Sequence, residues 1–432
     1  MVPARSRRVR STNRPTAQER PNFAQAFDPN NNAFGFLRLI LATLVIFSHS
    51  FSLGGFGIDR LEAFTKGRYT IGLASVAMFF VLSGFLVCRS AAASRSVPRF
   101  LWHRFLRIFP AYWVCLIACG CVIAPLMAFA EFGTLTRVFS VPWNSSQSFM
   151  IGNAGLFHLN GFSLGGILFI RPTSIADLLA HNPVHRTING SLWTLPFEVS
   201  CYLAVAALAA VGVLRRARFV LFGLFAGLWC LHAFDWVNPD GFWRCFPYPG
   251  MKQLVMLCLF FSAGCVCFLY REKIPHSTAI FVTSLVALGG SLPLGVFGLI
   301  APIAMTYAFL WLAFALPFGR FDRKGDFSYG TYIYAFPVQQ GMALLRIQEK
   351  GFGLYFVSSL LLTALLAFLS YRLIEAPCLR LKTVRMSSFR RRAGSSAAQL
   401  TERFPTQPAE PAIPKESGST VGVQAVNVVF LR

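Results

Sequence analysis

Charge is what this chain has least of, and negative charge least of all. Of 432 residues only 13% are Asp, Glu, Lys or Arg, with 17 acids against 40 bases. So low a content excludes an ordinary soluble domain. Metal-ligand spacing is missing too. Eleven cysteines are present, but neither "CLIACGC" nor "CVC" has companion Cys or His residues at zinc spacing. Cys88, Cys115, Cys119, Cys121, Cys201, Cys258, Cys265 and Cys267 fall in apolar segments as small buried hydrophobes, and Cys245 falls in an outer loop. Neither a metal nor a structural disulfide is expected. The first 20 residues carry six arginines and no apolar h-region, so no cleavable signal peptide is expected.

What is present is hydrocarbon: 55% of residues are hydrophobic and the mean hydropathy is +0.55. Stretches of about 20 apolar residues, enough to cross a core of about 30 Å, recur from Phe34 to the neighbourhood of Ile374. The expected fold is an all-α polytopic membrane protein with ten spans, at about 34–53, 69–89, 108–130, 193–215, 219–234, 251–270, 276–290, 296–318, 327–345 and 354–374. The net charge of +23 sits in arginines that flank these spans. Retention on the cytoplasmic side accounts for them without a nucleic-acid partner, and anionic lipid headgroups are a secondary one. The segment "CRSAAASRSVPRFLWHRFLR", with five arginines, is read as a cytoplasmic loop, which places both termini in the cytoplasm and residues 131–191 outside. A re-entrant or interfacial piece is expected near "GLFHLNGFSLGGILFI". The expected organisation is a basic cytoplasmic tail over 1–33, a membrane domain over 34–381, and a basic, then disordered cytoplasmic tail over 382–432.

Three groups of polar residues interrupt the apolar pattern. In "RLILATLVIFSHS", Arg38 and His49 are eleven positions apart, roughly 20° past three full turns and roughly 16 Å along one helix face. An ionisable group inside a span is costly and marks a functional site by default; the competing reading is a histidine that bonds a neighbouring helix as packing glue. Glu198, in "SLWTLPFEVSCYL", is an acid well inside a crossing at a depth similar to that of His49. A carboxylate beside an imidazole stabilises the imidazolium formed when the ring takes a proton. Alternatively Glu198 pairs with an arginine or faces outer water. In "HRFLRIFP", Arg104 and Arg107 project from one helix face, and two guanidinium forks suit phosphate oxygens; arginines at an inner span end also serve topology alone.

Together these stretches, with "VAMFFVLSGFLVCRS", "FSYGTYIYAFPVQQ" and "YRLIEAPCLRLK", resemble the integral-membrane acyltransferase family 3, which includes acetylases of O-antigen, exopolysaccharide and nodulation factors. The resemblance implies transfer of an acyl group from acyl-CoA, acetyl-CoA being the first expectation, to a hydroxyl of a carbohydrate or glycolipid, with no metal. It implies a location in the cell inner membrane. His49 is then the essential histidine, Arg38 its motif partner, Glu198 the acid of the tryptophan-containing motif, and Arg104 and Arg107 the donor-side basic pair. Some relatives carry a histidine where this chain has Ala335, so the ninth span is given no catalytic role. His49 acts either as general base or as an acyl carrier. A proton-coupled exporter or flippase of lipid-linked saccharide, with His49 and Glu198 as its relay, is the rival reading, and a non-catalytic lipid-binding scaffold a third.

Overall fold

Capping residues and prolines punctuate the apolar runs and set where the helices begin. The computed structural model describes residues 21–94, 96–139, 145–156, 178–185, 187–239, 251–321 and 325–383. Among the described residues ten helices make up the bundle: α1 Phe34–Leu53, α2 Ile71–Ala93, α3 Val97–Phe132, α4 Gly190–Ala210, α5 Arg218–Val237, α6 Met251–Leu269, α7 Thr278–Ser291, α8 Phe297–Ala315, α9 Ser328–Leu344 and α10 Phe352–Arg380. Thr70 caps α2 by accepting from Leu73 N at 2.9 Å, and Asn189 caps α4 by accepting from Ser191 N at 3.1 Å.

Each helix stands where a span was expected. Eight are long and apolar enough to cross a membrane; α7 and α9 have 14 and 17 residues, and at 1.5 Å per residue α7 rises only about 21 Å. The third span differs most from expectation. The basic segment read as a long loop is helical at both ends, since α2 continues to Ala93 and α3 begins at Val97 with Pro98 in its first turn. Leu and Arg are good helix formers and Pro pre-sets the first turn, so Arg89, Arg99, Arg104 and Arg107 stand on helical faces. Residues 157–170 of the expected re-entrant piece, Cys245, the first twenty residues and residues 384–432 lie outside the described residues.

Two helices contain a π turn, and each precedes a proline by the same interval. Cys119–Ile123 in α3 ends two residues before Pro125, and Tyr371–Glu375 in α10 ends two before Pro377. Ala124 N donates to Cys119 O and Ala376 N to Tyr371 O. A proline ring clashes with the carbonyl four residues back, and the wider turn gives that carbonyl room.

Helices α2 and α6 form the centre, with 67% of each apolar window buried, whereas α5 and α10 have 17% and 22% and present Phe219, Phe222, Leu361 and Leu365 outwards. Without a hydrophobic drive between helices in lipid, close approach depends on small residues. Here it depends on Gly84 and Gly264: a Cβ on Gly84 would lie 2.0 Å from Phe261 O, and one on Gly264 2.0 Å from Val81 O. Cys265 Sγ donates to Gly84 O at 3.3 Å across the same crossing. Gly84→Val is therefore expected to destabilise the protein by about 3 kcal/mol, the upper part of the overpacking range. Thermal unfolding of detergent-purified protein checks this, and an unchanged midpoint would contradict the crossing.

The last part of the N-terminal segment packs on the bundle. Phe23 is fully buried; Phe23 N donates to Ile274 O at 2.9 Å and His276 N to Pro21 O at 2.7 Å. Ala33 N donates to Ala313 O at 2.9 Å, which brings the start of α1 to the end of α8.

Candidate active site

Helix ends gather charge at one pole of the bundle. A cavity of about 790 Å³ there is lined by Arg38 from the start of α1, Arg89 from the end of α2, Arg99, Arg104 and Arg107 from the start of α3, and Lys382 beyond α10. Two carboxylates, Asp326 and Glu198, face these six cations. Asp326 lies just before α9 and is bound from several sides: Arg107 Nη2 approaches its Oδ2 to 2.5 Å and Arg38 Nη2 the same oxygen to 3.3 Å, while Ser328 donates from Oγ at 2.5 Å and N at 3.2 Å to Oδ1. Burial opposes ionisation of Asp326, but Arg107, Arg38 and the Ser328 donors outweigh it and hold the carboxyl well below the usual carboxylate range.

Thr194, Glu198 and Tyr202 recur at intervals of four on α4 and all line this cavity. Tyr202 OH donates to Glu198 Oε1, and Ser83 Oγ from α2 donates to the same oxygen at 3.3 Å. The Arg104 guanidinium lies 5.7 Å from the Tyr202 ring centre and 5.9 Å from that of Phe100. Its Nε has no hydrogen-bond partner among the described residues. Arg107, by contrast, is committed to Asp326.

At the opposite pole lies a second cavity of about 440 Å³, lined by His49 near the end of α1, Thr70 and Gly72 at the start of α2, Trp193 and Phe197 at the start of α4, Gln253 at the start of α6, and Tyr332 of α9. The His49 ring meets Phe336 edge-on, with centroids 5.5 Å apart, and its Nδ1 has no hydrogen-bond partner among the described residues. Asp59, buried in the α1–α2 connection, accepts from Ser48 Oγ at 2.7 Å and Ile71 N at 2.8 Å. Two residues, Val76 and Tyr332, line both cavities. The Tyr332 hydroxyl is 2.8 Å from Thr194 Oγ1.

Helix α9 is held in place by its own irregularity. Pro337 cannot supply the N–H that would meet Ile333 O, and Asn189 Nδ2 donates to that carbonyl at 2.9 Å instead. Gln339, fully buried, donates from Nε2 to Ile46 O and to Ser50 Oγ, each at 2.9 Å. Gln340 donates to Val184 O at 2.9 Å and Thr187 O at 2.7 Å. Thus "FPVQQ" fixes α9 to α1 and to the chain ahead of α4, a few residues from His49.

Of the residues singled out in the sequence, the fold brings together Arg38, Arg104, Arg107 and Glu198 around the basic cavity, with His49 in the other. Glu198 is bonded to Tyr202 and Ser83; the expected pairing with His49 is not among its bonds. Asp326, Tyr202, Tyr332 and Lys382 went unnoticed in the sequence. The signal for Tyr202 was its place four residues after an intramembrane acid; Asp326 was hidden within the charged turn "GRFDRKGD".

A profile described as "Acyltransferase domain" matches residues 31–372. Among known proteins, an O-acetyl transferase of Shigella phage Sf6 is 28% identical over 350 residues, which cover 80% of this chain and 95% of that protein. Nodulation protein 10 of Rhizobium leguminosarum bv. viciae is 25% identical over 376 residues, covering 82% and 95%. No solved structure matches the chain.

Proposed function

The chain belongs to the acyltransferase 3 family of multi-pass membrane enzymes, and from that premise we propose an O-acyltransferase that takes an acyl group, acetyl first among candidates, from acyl-CoA and esterifies a hydroxyl of an envelope or exported carbohydrate. The observation that carries this reading is the pair of cavities at opposite poles, one rich in cations and one holding His49, which share Val76 and Tyr332. On this reading all ten helices cross the inner membrane, both termini are cytoplasmic, and the basic cavity opens to the cytoplasm, where acyl-CoA is made. CoA phosphates cannot enter hydrocarbon cheaply, so they stay among the guanidiniums, and the pantetheine arm carries the thioester along α4 towards Tyr332. The acceptor enters from the far side. His49 takes the hydroxyl proton as that oxygen attacks the thioester carbon; the C–S bond breaks, and the sulfur ends with the proton. Glu198 fixes Tyr202 beneath Arg104 rather than orienting His49.

The test is binding of a non-hydrolysable acetyl-CoA thioether to the purified protein, with formation of new ester followed in parallel by mass spectrometry of glycans. Arg104→Ala should weaken donor binding about 10- to 100-fold, the worth of a charge-assisted contact. Arg107→Ala should weaken it less, because Arg107 already serves Asp326. Unchanged affinity in both would place the donor elsewhere, and absence of any new ester would refute the reading.

Lys382 adds a pH dependence. Burial, then the charges of Arg107 and Arg104, push its ammonium down to about 8 from the ordinary lysine value. Below that pH the group is charged with or without donor. Above it, a phosphate must first restore the proton, so donor affinity is expected to be flat below about pH 8 and to fall as pH rises through it. Lys382→Arg should flatten the profile; an unaltered fall in that variant would assign it to another group.

A further inference from the structure

The reading above leaves open what receives the charge that develops on the acyl oxygen. Donor and acceptor enter from opposite poles, so the acyl carbon must be attacked where the two cavities meet. Two residues line both, and of them Val76 offers only methyl groups while Tyr332 carries a hydroxyl. The other phenols of the basic cavity have committed protons: Tyr202 donates to Glu198 and Tyr329 to Ile108 O at 3.0 Å. Tyr332 is different, because its oxygen faces Thr194 Oγ1 at 2.8 Å and either group can be the donor. With Thr194 donating, the phenol oxygen is held and its own proton is available. Both hydroxyls are buried, where a donor aimed at developing charge is worth most.

We propose that Tyr332 is the oxyanion donor of this enzyme, with Thr194 as the residue that positions it. As the acceptor oxygen bonds to the acyl carbon, the carbonyl electron pair moves onto oxygen and is stabilised by the Tyr332 O–H, which keeps its proton. The pair then returns, the C–S bond breaks and the thiolate leaves, to be protonated by the hydrogen that His49 removed from the acceptor. Location on α9 suits the task, since Pro337, Asn189, Gln339 and Gln340 fix that helix at several points around Tyr332. A preorganised donor costs no rearrangement at the moment of reaction.

The inference rests on the acyltransferase reading, and its test separates the two. Wild type, Tyr332→Phe, Thr194→Val and Thr194→Ser would be purified in nanodiscs and given radiolabelled acetyl-CoA with an envelope glycan extract. Ester formation would be followed alongside binding of the acetyl-CoA thioether. Tyr332→Phe should lower turnover about 10²- to 10³-fold, the usual effect of losing one oxyanion donor, with donor Kd within about twofold of wild type, as expected for a group that acts on the transition state. Thr194→Val should lower turnover about 10-fold with the same unchanged Kd, and Thr194→Ser should restore it, which simple loss of packing would not do. Should Tyr332→Phe fail to fold, the threonine pair carries the test: equal turnover in Thr194→Val and wild type overturns the proposal. Full turnover in a folded Tyr332→Phe, or a loss confined to donor binding, overturns it as well while leaving the acyltransferase reading intact. No labelled ester from wild type refutes both.

Discussion

His49→Ala is expected to lower ester formation by about 10²- to 10⁴-fold, the range for a general base, while the protein inserts and binds donor as the wild type does. The side chain has little structural work to lose. Its Nδ1 has no hydrogen-bond partner among the described residues, and its ring meets that of Phe336 edge-on. Nor does it line the basic cavity proposed for the donor phosphates. A neutral imidazole not tied down at Nδ1 can take a proton without first breaking a protein bond there. Transfer assays on membranes with matched protein levels, together with thioether binding, decide the matter. Full activity in a normally expressed His49→Ala protein would reduce the histidine to a packing residue. Loss of donor binding in that variant would place the coenzyme at the wrong pole.

Asp326→Asn is expected to lower stability by about 1.5 to 3 kcal/mol, the worth of a charge-assisted contact, since the ion pairs it loses are partly buried. Two guanidiniums, of Arg107 and Arg38, share the carboxylate, so both are left without its charge. The sign with pH follows. The carboxyl is held below its ordinary value, so its contribution is complete above the unfolded carboxylate range near pH 4 and is lost as pH falls through the lower folded value. On the proposed placement of the donor its phosphates would supply the missing negative charge, so CoA should raise the unfolding temperature of Asp326→Asn more than that of wild type. Thermal unfolding with and without CoA measures both effects. A variant that unfolds at the wild-type temperature would show that the arginines do not depend on Asp326.

The spans and polar residues differ in how far they could be read in advance. Long apolar runs placed the helices, because burying backbone in hydrocarbon leaves few alternatives to a helix. The beginning of α3 was missed because its arginines look like a loop when charge is taken to mean water; in the fold they line a cavity, and charge and helix coexist. His49 and Arg38 were found because an ionisable group in an apolar run is conspicuous whatever surrounds it. Their partners were not, since helical period gives a face and a height along one helix but not which faces of two helices meet. For that reason Glu198 could be set near the depth of His49 and yet bond to Tyr202, whose place four residues on was legible. Gln339 and Gln340 are uncharged amides in an apolar helix and carry no signal of their own in the sequence. Their bonds to Ile46, Val184 and Thr187 come from chain more than 150 residues away in sequence, and nothing local in the sequence announces them.

Among the described residues only Val76 and Tyr332 line both cavities, and in the membrane orientation proposed the potential falls mainly across the protein that parts the two. In the orientation proposed, each turnover formally exchanges an acylium unit carried outward for the acceptor's proton, which the departing sulfur must replace. If that proton returns through the protein between the cavities, the exchange is electrically silent. If His49 releases it to the outer water and the thiolate is reprotonated from the cytoplasm, one positive charge has moved outward against an interior-negative potential, at a cost of about 2.3 kcal/mol per 100 mV. With His49 and the thioester meeting at Tyr332, the silent route is expected. Ester formation in proteoliposomes should then be indifferent to an imposed potassium diffusion potential, and slowing by up to about 50-fold at 100 mV, that energy expressed as a rate, would show that the proton leaves by the outer route.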